Sequence, residues 1–327
     1  MIEARALEEG QALTVASYLT EWLAHTRGRV RVTTYEGYEG LIRLHAIPRL
    51  GQVPRARLSP LHIQRVYAET LEPAGSLSAG TVLNLHLVLT QALGQAVRWG
   101  LLAHNPARGA QPPRPCRPEP RVVDPALASA ILSLLPGTGV EAPAAIALST
   151  GMRRGEILAL TWGDLDAGLS LAQVRRTLHP TSGGLAFSEP KTRRSRRAVA
   201  LPEMLRPYLE RQRSDQEARR AARPTWEDLD LVVDRGDGGP LNPDTLSSRW
   251  RKFLARSGLP HVRFHDLRHA HATLMLLKGV HPKVVFERLG HASVGTTLDI
   301  YSHVIPTMQT EAVRAFDELF APEAAPS

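Results

Sequence analysis

The segment TGMRRGE, which begins at Thr150, combines a glycine, arginines and a glutamate at positions suited to holding an anion. Gly151 can supply a turn before a helix that we predict to begin near Met152. Arg153 would then lie in the first helical turn, where free amide groups and the helix dipole favour an anion. Glu156 shares that face and can hold the guanidinium in one rotamer. An ordinary ion pair on a surface helix is the alternative interpretation.

A second basic cluster occurs in the segment FHDLRHAHATLML. His265 and Arg268 are three residues apart, so an imidazole and a guanidinium share one face of a predicted helix, whose opposite face is rich in leucine. His265, His269 and His271 could instead ligate zinc. Because the segment lacks the glutamate of an HExxH metal motif and has no nearby carboxylate pair, we expect no metal site.

The segment SEPKTRRSRRAVAL places a lysine and several arginines on a predicted hairpin. Lys191 lies at the tip, and the arginines behind it are Arg193, Arg194, Arg196 and Arg197. Such a tip can lie along a phosphate backbone, and its arginines can enter a minor groove. A solvated charged turn explains the same residues equally well.

A histidine and a tyrosine lie ten residues apart near the C-terminus, in GHASVGTTLDIYSHV. His291 follows Gly290 at a predicted helix end, and a short helix from about Ser293 would carry the chain to Tyr301. A tyrosine hydroxyl can act as a nucleophile when a neighbouring base accepts its proton. Taken alone, however, a tyrosine in this segment is better explained by packing in the core.

The composition of the whole chain favours a polyanion as partner. The 327 residues include 40 lysines and arginines against 32 aspartates and glutamates, which gives a formal charge of +8 and an isoelectric point near 10.1. Nucleic acid is the natural partner of such a chain, although basic proteins without one also exist. The sequence has no acidic cluster suited to magnesium, and we expect neither a metal nor another cofactor.

The single cysteine, Cys116, excludes an intrachain disulfide and favours a reducing compartment. No run approaches the roughly 18 apolar residues of a membrane span, and the N-terminus is acidic without an apolar core. We therefore expect a cytoplasmic protein that does not associate with membranes.

The elements that must position these side chains fall into two predicted domains. Apolar residues at helical spacing predict a helical domain over 1–107, with Thr33, Ser59 and Ser78 as N-caps. A linker follows over 108–121, where prolines hold the backbone extended. The second domain, 122–327, is predicted to be helical over 203–220, 243–257 and most of 262–320, with short β-rich stretches before them. The predicted fold class is mainly α with a small antiparallel sheet.

Taken together, these segments resemble the tyrosine recombinase, or phage integrase, family. TGMRRGE, PKTRRSRR, HDLRH, LGH and TTLDIYSHV occur in the order and approximate spacing of that family. The segment from Thr14 to Gly51 also looks like the core-DNA-binding domain of phage integrases, which is a SAM-like helical domain. The resemblance implies that this domain precedes an α+β catalytic domain with a C-terminal helix.

The resemblance also implies a role for each matched residue. Arg153 and Arg268 would contact the scissile phosphate, and His291 would support it. Lys191 and His265 would transfer protons, although which of them moves which proton stays open. Tyr301 would be the nucleophile. Glu156 would have a structural role.

The implied activity is site-specific DNA recombination through a covalent 3′-phosphotyrosine intermediate, without metal or ATP. Two arginines can offset the charge that develops on the phosphate, and the phosphotyrosine retains the energy needed for resealing. The alternatives are an Xer-like resolvase, an enzyme similar to type IB topoisomerases, and a DNA-binding regulator that has lost catalysis.

The implied partner is double-stranded DNA, and recombination of two duplexes would engage four protomers. The segment MQTEAVRAFDELF has an apolar face formed by Val313, Phe316, Leu319 and Phe320. This segment could dock on a neighbouring protomer or pack on its own domain. Because the core-binding pattern begins near Ala12, we expect no bridging to arm-type DNA sites of the kind that many phage integrases carry out.

Overall fold

The structure is a computed structural model, and it describes residues 14–72, 75–116, 123–189 and 196–290 together with positions 313 and 317. The chain divides into two compact units, 1–119 and 120–327. This division falls within the predicted linker at 108–121, whose exact limits stay a prediction.

The described part of the first unit is a helical bundle. Its α-helices are α1 Val15–Thr26, α2 Val32–Leu41, α3 Ile47–Leu50, α4 Pro60–Thr70 and α5 Ala79–Arg98. A π-helical turn, Ile42–Ala46, joins α2 to α3. The apolar residues at helical spacing meet in one core, whose largest members are Tyr18, Trp22 and Tyr67. Burial of this apolar surface is the main stabilising contribution to such a bundle.

Two of the three predicted N-caps are confirmed. Ser59 precedes α4, and the Ser78 hydroxyl accepts a hydrogen bond from the backbone amide of Thr81 at the start of α5. The prediction for Thr33 is wrong. The Arg31 carbonyl accepts the first hydrogen bonds of α2, so this helix begins at Val32 and already includes Thr33.

The second unit contains most of the chain and carries the predicted catalytic segments. Its described α-helices are α6 Pro125–Leu134, α7 Glu141–Thr150, α8 Arg154–Ile157, α9 Arg206–Ala221, α10 Pro243–Arg256, α11 Asp266–Leu277 and α12 Pro282–Leu289. The helices predicted over 203–220 and 243–257 correspond to α9 and α10. Within 262–320, the described residues form α11 and α12, and positions 313 and 317 are also helical.

Four short strands form two separate antiparallel pairs in the described part of the second unit. The strands are β1 Leu171–Val174, β2 Thr177–Thr181, β3 Gly184–Ser188 and β4 Arg197–Ala200. β1 pairs with β4, and β2 pairs with β3. The class predicted from the sequence, mainly α with a small antiparallel sheet, is confirmed, although the strands form two pairs where the sequence suggested one sheet.

Gly151 brings the end of α7 against α11 and α12. Its backbone is left-handed, with a φ of 67°, and it closes α7. A Cβ atom here would lie 2.5 Å from the Leu289 side chain and 2.7 Å from the His271 ring. Glycine is therefore required for both backbone conformation and close approach. Arg153 follows this turn by two residues, and its side chain reaches the Gly290 carbonyl at the end of α12.

No helix among the residues that the structure describes is both long enough and apolar enough to span a membrane.

Candidate active site

Arg153 lies at the N-cap of the short helix α8, one position earlier than the first-turn location predicted from the sequence. Its backbone amide donates to Glu156 Oε2 at 2.8 Å, and its Nη1 donates to Glu156 Oε1 at 2.8 Å. Nη2 donates to the Gly290 carbonyl at 2.9 Å. The side chain remains 38% exposed. Arg153 is thus oriented from two sides while its guanidinium keeps a surface open to solvent.

Glu156 is a buried carboxylate held by two arginines. Its side chain is 3% exposed, and besides Arg153 it accepts hydrogen bonds from Arg197. Burial opposes ionisation, but the hydrogen bonds and positive charges of Arg197 and Arg153 outweigh it and lower the pKa of the carboxyl group below its usual value. Glu156 therefore carries a negative charge at neutral pH. The structural role that the resemblance implies for Glu156 stays a prediction.

Arg197 lies in the interior at the start of β4, and its side chain is only 6% exposed. Its Nη1 and Nη2 donate to the two Glu156 oxygens at 3.2 Å and 2.9 Å, and its Nε donates to the Arg288 carbonyl at 2.6 Å. This position does not agree with the DNA contact predicted for Arg197. The run of arginines looked uniform in sequence, but the alternation of β4 turns this side chain inward.

Arg268 lies in the first turns of α11 and is buried, at 3% exposed. Its Nη1 donates to the Gly151 carbonyl and its Nη2 to the Leu289 carbonyl, at 2.5 Å and 2.7 Å. Burial and the nearby charge of Arg153 lower the pKa of Arg268 to about 9, so the guanidinium stays protonated at neutral pH. A phosphate could reach it only after the groups that cover it move.

The C-terminal end of α12 joins these arginines. The carbonyls of Arg288, Leu289 and Gly290 accept hydrogen bonds from Arg197, Arg268 and Arg153 respectively. The last carbonyls of a helix have no partner within the helix and carry partial negative charge, so cations are favoured there. Three successive carbonyls therefore collect three guanidinium groups at one point, directly before the predicted site residue His291.

His265 precedes α11 at its N-cap and is exposed on one side. Its ring makes an edge-to-face contact with the ring of His269, with centroids 5.1 Å apart. Loss of water on the covered side, together with His269 and the charge of Arg268, lowers the pKa of His265 to about 4. A histidine with this pKa is neutral at pH 7 and can accept a proton.

His271 and Arg288 also support the site. From the sequence, His271 was considered only as a possible zinc ligand and Arg288 was not considered. Arg288 Nε donates to His271 Nε2 at 3.0 Å, and His271 Nδ1 lies 3.0 Å from the Leu148 carbonyl. The ring must therefore be neutral, with its proton on Nδ1. Arg288 also donates to the carbonyls of Ser149 and Ala200, which ties α12 to α7 and β4. The only signal in the sequence was position: His271 follows Arg268 by three residues, and Arg288 directly precedes the LGH segment.

The contacts of His271 also bear on the zinc alternative raised by the sequence. Because both ring nitrogens of His271 face protein groups, this ring does not join the pair formed by His265 and His269. Within the described ranges, no group of three or more histidine, cysteine, aspartate or glutamate side chains is arranged to hold a metal ion.

Lowering the pH should destabilise the fold through His271. Burial is the largest cause, with Arg288 next, and together they lower its pKa to about 4, against 6.5 for a free histidine. The unfolded chain therefore binds a proton that the folded chain does not, and stability falls as the pH drops from about 6.5 to about 4. His271 alone should contribute a loss of about 2 kcal/mol between pH 7.5 and pH 5.

Urea titrations of the wild-type chain and of His271→Gln at both pH values measure this contribution. The variant should be less stable at pH 7.5 but should lose less stability on acidification. Other histidines contribute equally to both proteins and cancel in the comparison. Equal losses in the two proteins would contradict the assignment.

Several predicted site residues lie outside the described part of the chain. These are Lys191, Arg193, Arg194, His291 and Tyr301. Arg196 is described, and its exposed side chain forms an ion pair with Glu189. It lines an open cavity of about 720 Å³ between the two strand pairs, together with Arg175 and Arg176. These last two arginines both approach the buried Asp164 and were not singled out from the sequence.

Each of the two units matches a domain of the same protein family. The second unit contains the region, residues 139–308, that matches the phage integrase family, and residues 14–71 match the phage integrase N-terminal SAM-like domain. A protein of Caldanaerobacter subterraneus named tyrosine recombinase XerC-like is 30% identical to this chain, over 95% of the chain and 84% of the relative. The chain belongs to the phage integrase family of tyrosine recombinases, which break and rejoin DNA.

Solved structures agree with the fold. The integrase of transposon Tn1549, in complex with a circular intermediate DNA, has a TM-score of 0.79 and 22% identity, and the match covers 93% of this chain and 99% of that chain. The lambda integrase tetramer bound to a Holliday junction has a TM-score of 0.65 and 16% identity, over 89% of this chain and 78% of that chain. The family resemblance and the fold inferred from the sequence are therefore confirmed, whereas the roles of individual residues stay predictions.

Proposed function

We propose that this chain is a site-specific recombinase of mobile DNA and that it uses Tyr301 to form a covalent 3′-phosphotyrosine intermediate. The observation that carries the proposal is the cluster of Arg153 and Arg268 on adjacent carbonyls at the end of α12. Once the groups that cover Arg268 have moved, the two guanidinium groups can donate to both non-bridging oxygens of a phosphodiester. They would offset the negative charge that develops there during strand cleavage.

In the proposed cleavage step, the Tyr301 oxygen attacks the scissile phosphorus and the bond to the 5′-oxygen breaks. His265 is neutral at pH 7, so it has a ring nitrogen free of a proton, and we assign it the role of accepting the proton of the phenol. Lys191 would protonate the departing 5′-oxygen, and His291 would support the phosphate. Attack by a 5′-hydroxyl from a second strand reverses these transfers and rejoins the DNA, so the reaction needs no external energy source.

The partner proposed for the chain is double-stranded DNA. The chain has a formal charge of +8, and Arg196 presents an exposed guanidinium beside the strand pairs. Arg193 and Arg194 would extend this basic surface along the backbone. We assign them phosphate contacts because nothing about them points to particular bases.

Assembly as a homotetramer on two duplexes is the second part of the proposal. The lambda integrase comparison includes a tetramer on a Holliday junction, which makes four protomers the natural assembly for strand exchange. The C-terminal segment would dock on a neighbouring protomer, and Val313 has an exposed apolar side chain of the kind that such docking would bury.

Trapping of the covalent intermediate tests the proposed activity. A binding sequence is first selected from a random-sequence duplex library with the full chain, and duplexes nicked at successive positions are then prepared from it. Cleavage next to a nick releases a short fragment, so the protein cannot reseal the strand. We expect one nick position to give a covalent adduct that survives denaturation and whose DNA is attached to a tyrosine-containing peptide.

A second assay separates the alternatives. Joining of strands between two labelled duplexes supports a recombinase, whereas an adduct that only relaxes supercoiled plasmid indicates a topoisomerase. Tight binding to the selected duplex without an adduct at any nick position would indicate a regulator that has lost catalysis, and would overturn the proposal.

A further inference from the structure

Arg197 and Arg153 contact the same two parts of the structure, the Glu156 carboxylate and the end of α12. Arg197 lies between the Glu156 carboxylate and the Arg288 carbonyl, while Arg153 lies between the same carboxylate and the Gly290 carbonyl. Both guanidinium groups are thus held between one buried anion and the end of one helix. Any displacement of Glu156 or of the last turn of α12 would move Arg153 as well.

The packing around Arg197 leaves little room for such displacement. Gly290 is left-handed, with a φ of 62°, and a Cβ atom added there would lie 3.0 Å from Arg197 Nη1. The backbone of this turn therefore lies against the guanidinium plane. β4 carries Arg197, and its pairing with β1 fixes the backbone from which the side chain extends.

We propose that Arg197 is a positioning residue for strand cleavage, which holds Glu156 and the end of α12 in place and so orients Arg153 toward the scissile phosphate. This inference rests on the proposed function of the site. It assigns Arg197 no contact with DNA, although its place in the arginine run suggested such a contact.

The physical reason lies in the burial of Glu156. A buried carboxylate is strongly disfavoured unless opposite charges and hydrogen bonds compensate for lost water. Arg197 is almost as buried as Glu156 and binds both carboxylate oxygens, whereas Arg153 is partly exposed to solvent. Arg268 lies close enough to feel the charge of Glu156, but its two terminal nitrogens donate to backbone carbonyls. Without Arg197, Glu156 would gain a proton more readily and would hold Arg153 less firmly.

The test compares Arg197→Gln with the wild-type chain on the nicked duplex described above. We expect adduct formation to slow by about 100-fold at pH 7, because misplacing a reactive group by about 1 Å has this effect. Affinity for the intact selected duplex should change by less than about twofold, and the salt dependence of binding should be unchanged, because no phosphate contact is lost.

The pH dependence of the cleavage rate separates positioning from a loss of structure. In Arg197→Gln, Glu156 should take up a proton at a higher pH than in the wild type, so the rate should rise with pH over a range where the wild-type rate is flat. Arg197→Lys retains the charge and should recover much of the rate and the flat profile. A variant that is merely less stable would lose rate without this change in pH dependence.

Two other arginines serve as comparisons. Arg219 pairs with the buried Asp234 at 2.9 Å outside the site, so Arg219→Gln reproduces the loss of a partner for a buried carboxylate and should leave the cleavage rate unchanged. Arg196→Gln should weaken DNA binding. The slope of log K against log salt concentration should also fall by about one, which corresponds to the loss of one phosphate contact.

Distinct outcomes overturn the inference and the proposed function. If Arg197→Gln weakens DNA binding as Arg196→Gln does, or cleaves at the wild-type rate, the positioning role is wrong. If Arg197→Gln fails to fold, Arg197→Lys alone carries the test. A flat pH profile with most of the wild-type rate in Arg197→Lys supports a positioning role that depends on the positive charge. An altered salt dependence of DNA binding in Arg197→Lys overturns that role. If the wild-type chain itself forms no adduct, the proposed function fails instead.

Discussion

Replacing Tyr301 with phenylalanine should abolish the covalent adduct on the nicked duplex. The substitution removes only the oxygen that is proposed to attack phosphorus and retains the aromatic ring. Without a nucleophile no other group can form the phosphotyrosine bond, so we expect a decrease of at least about 10⁴-fold, the scale seen when a catalytic nucleophile is removed. Affinity for the intact duplex should be unaffected.

The other tyrosines of the chain are poor candidates for this role. All five lie in the described part, and each hydroxyl already has a hydrogen-bond partner. Burial also raises the pKa of Tyr18 and Tyr67, which makes their phenolate forms less accessible. Besides Tyr301, the second unit contains one more tyrosine, Tyr208, whose hydroxyl donates to the Leu132 carbonyl. These hydroxyl groups serve the fold.

Tyr208→Phe is therefore the matched control for Tyr301→Phe. It removes the same atom from the same unit and should leave both adduct formation and DNA binding at the wild-type level. An adduct that persists in Tyr301→Phe and disappears in Tyr208→Phe would show that the nucleophile has been assigned to the wrong residue. Mass spectrometry of the DNA-linked peptide gives an independent assignment.

The sequence was sufficient to predict features that depend on local chemistry. Ser78 was identified as a cap because a hydroxyl at the start of an apolar helix can bind a free amide. Glu156 and Arg153 were paired because residues three apart share a helix face. The structure has them in contact, but through a cap at the start of α8, since Arg153 precedes the helix. The family resemblance rested on motifs of this local kind, and their order along the chain identified the family.

Contacts between distant segments could not be predicted in this way. Arg197 is 41 positions from Glu156 and 91 from Arg288, so only the pairing of β4 and the docking of α12 bring them together. The sequence contains both Arg196 and Arg197 in one basic run and gives no reason to separate them. In the structure Arg196 is exposed and Arg197 is buried. The same limitation applies to His271 and Arg288, whose roles depend on the meeting of α7, α11 and α12.

Replacing Arg268 with methionine should slow cleavage by about 10³-fold, because one fixed donor to a developing oxyanion contributes a factor of this order. Methionine preserves most of the buried apolar volume but removes the charge. It also leaves the carbonyls of Gly151 and Leu289 without their donors, so some stability should be lost as well. The cleavage rate is measured under single-turnover conditions at a temperature where the variant is folded.

Arg154→Met is the matched control. Like Arg268, Arg154 donates to a backbone carbonyl, in this case that of Pro243. Its side chain extends away from the site, toward α10. It should cleave at close to the wild-type rate.

A neutral methylphosphonate at the scissile position distinguishes a charge effect from a structural one. If Arg268 acts by offsetting charge on a non-bridging oxygen, removing that charge from the DNA should reduce the defect of Arg268→Met by at least about tenfold. A defect of equal size on both substrates would mean that Arg268 serves only to cap Gly151 and Leu289. In that case Arg153 would be the single arginine on the phosphate, and the burial of Arg268 would persist in the DNA complex.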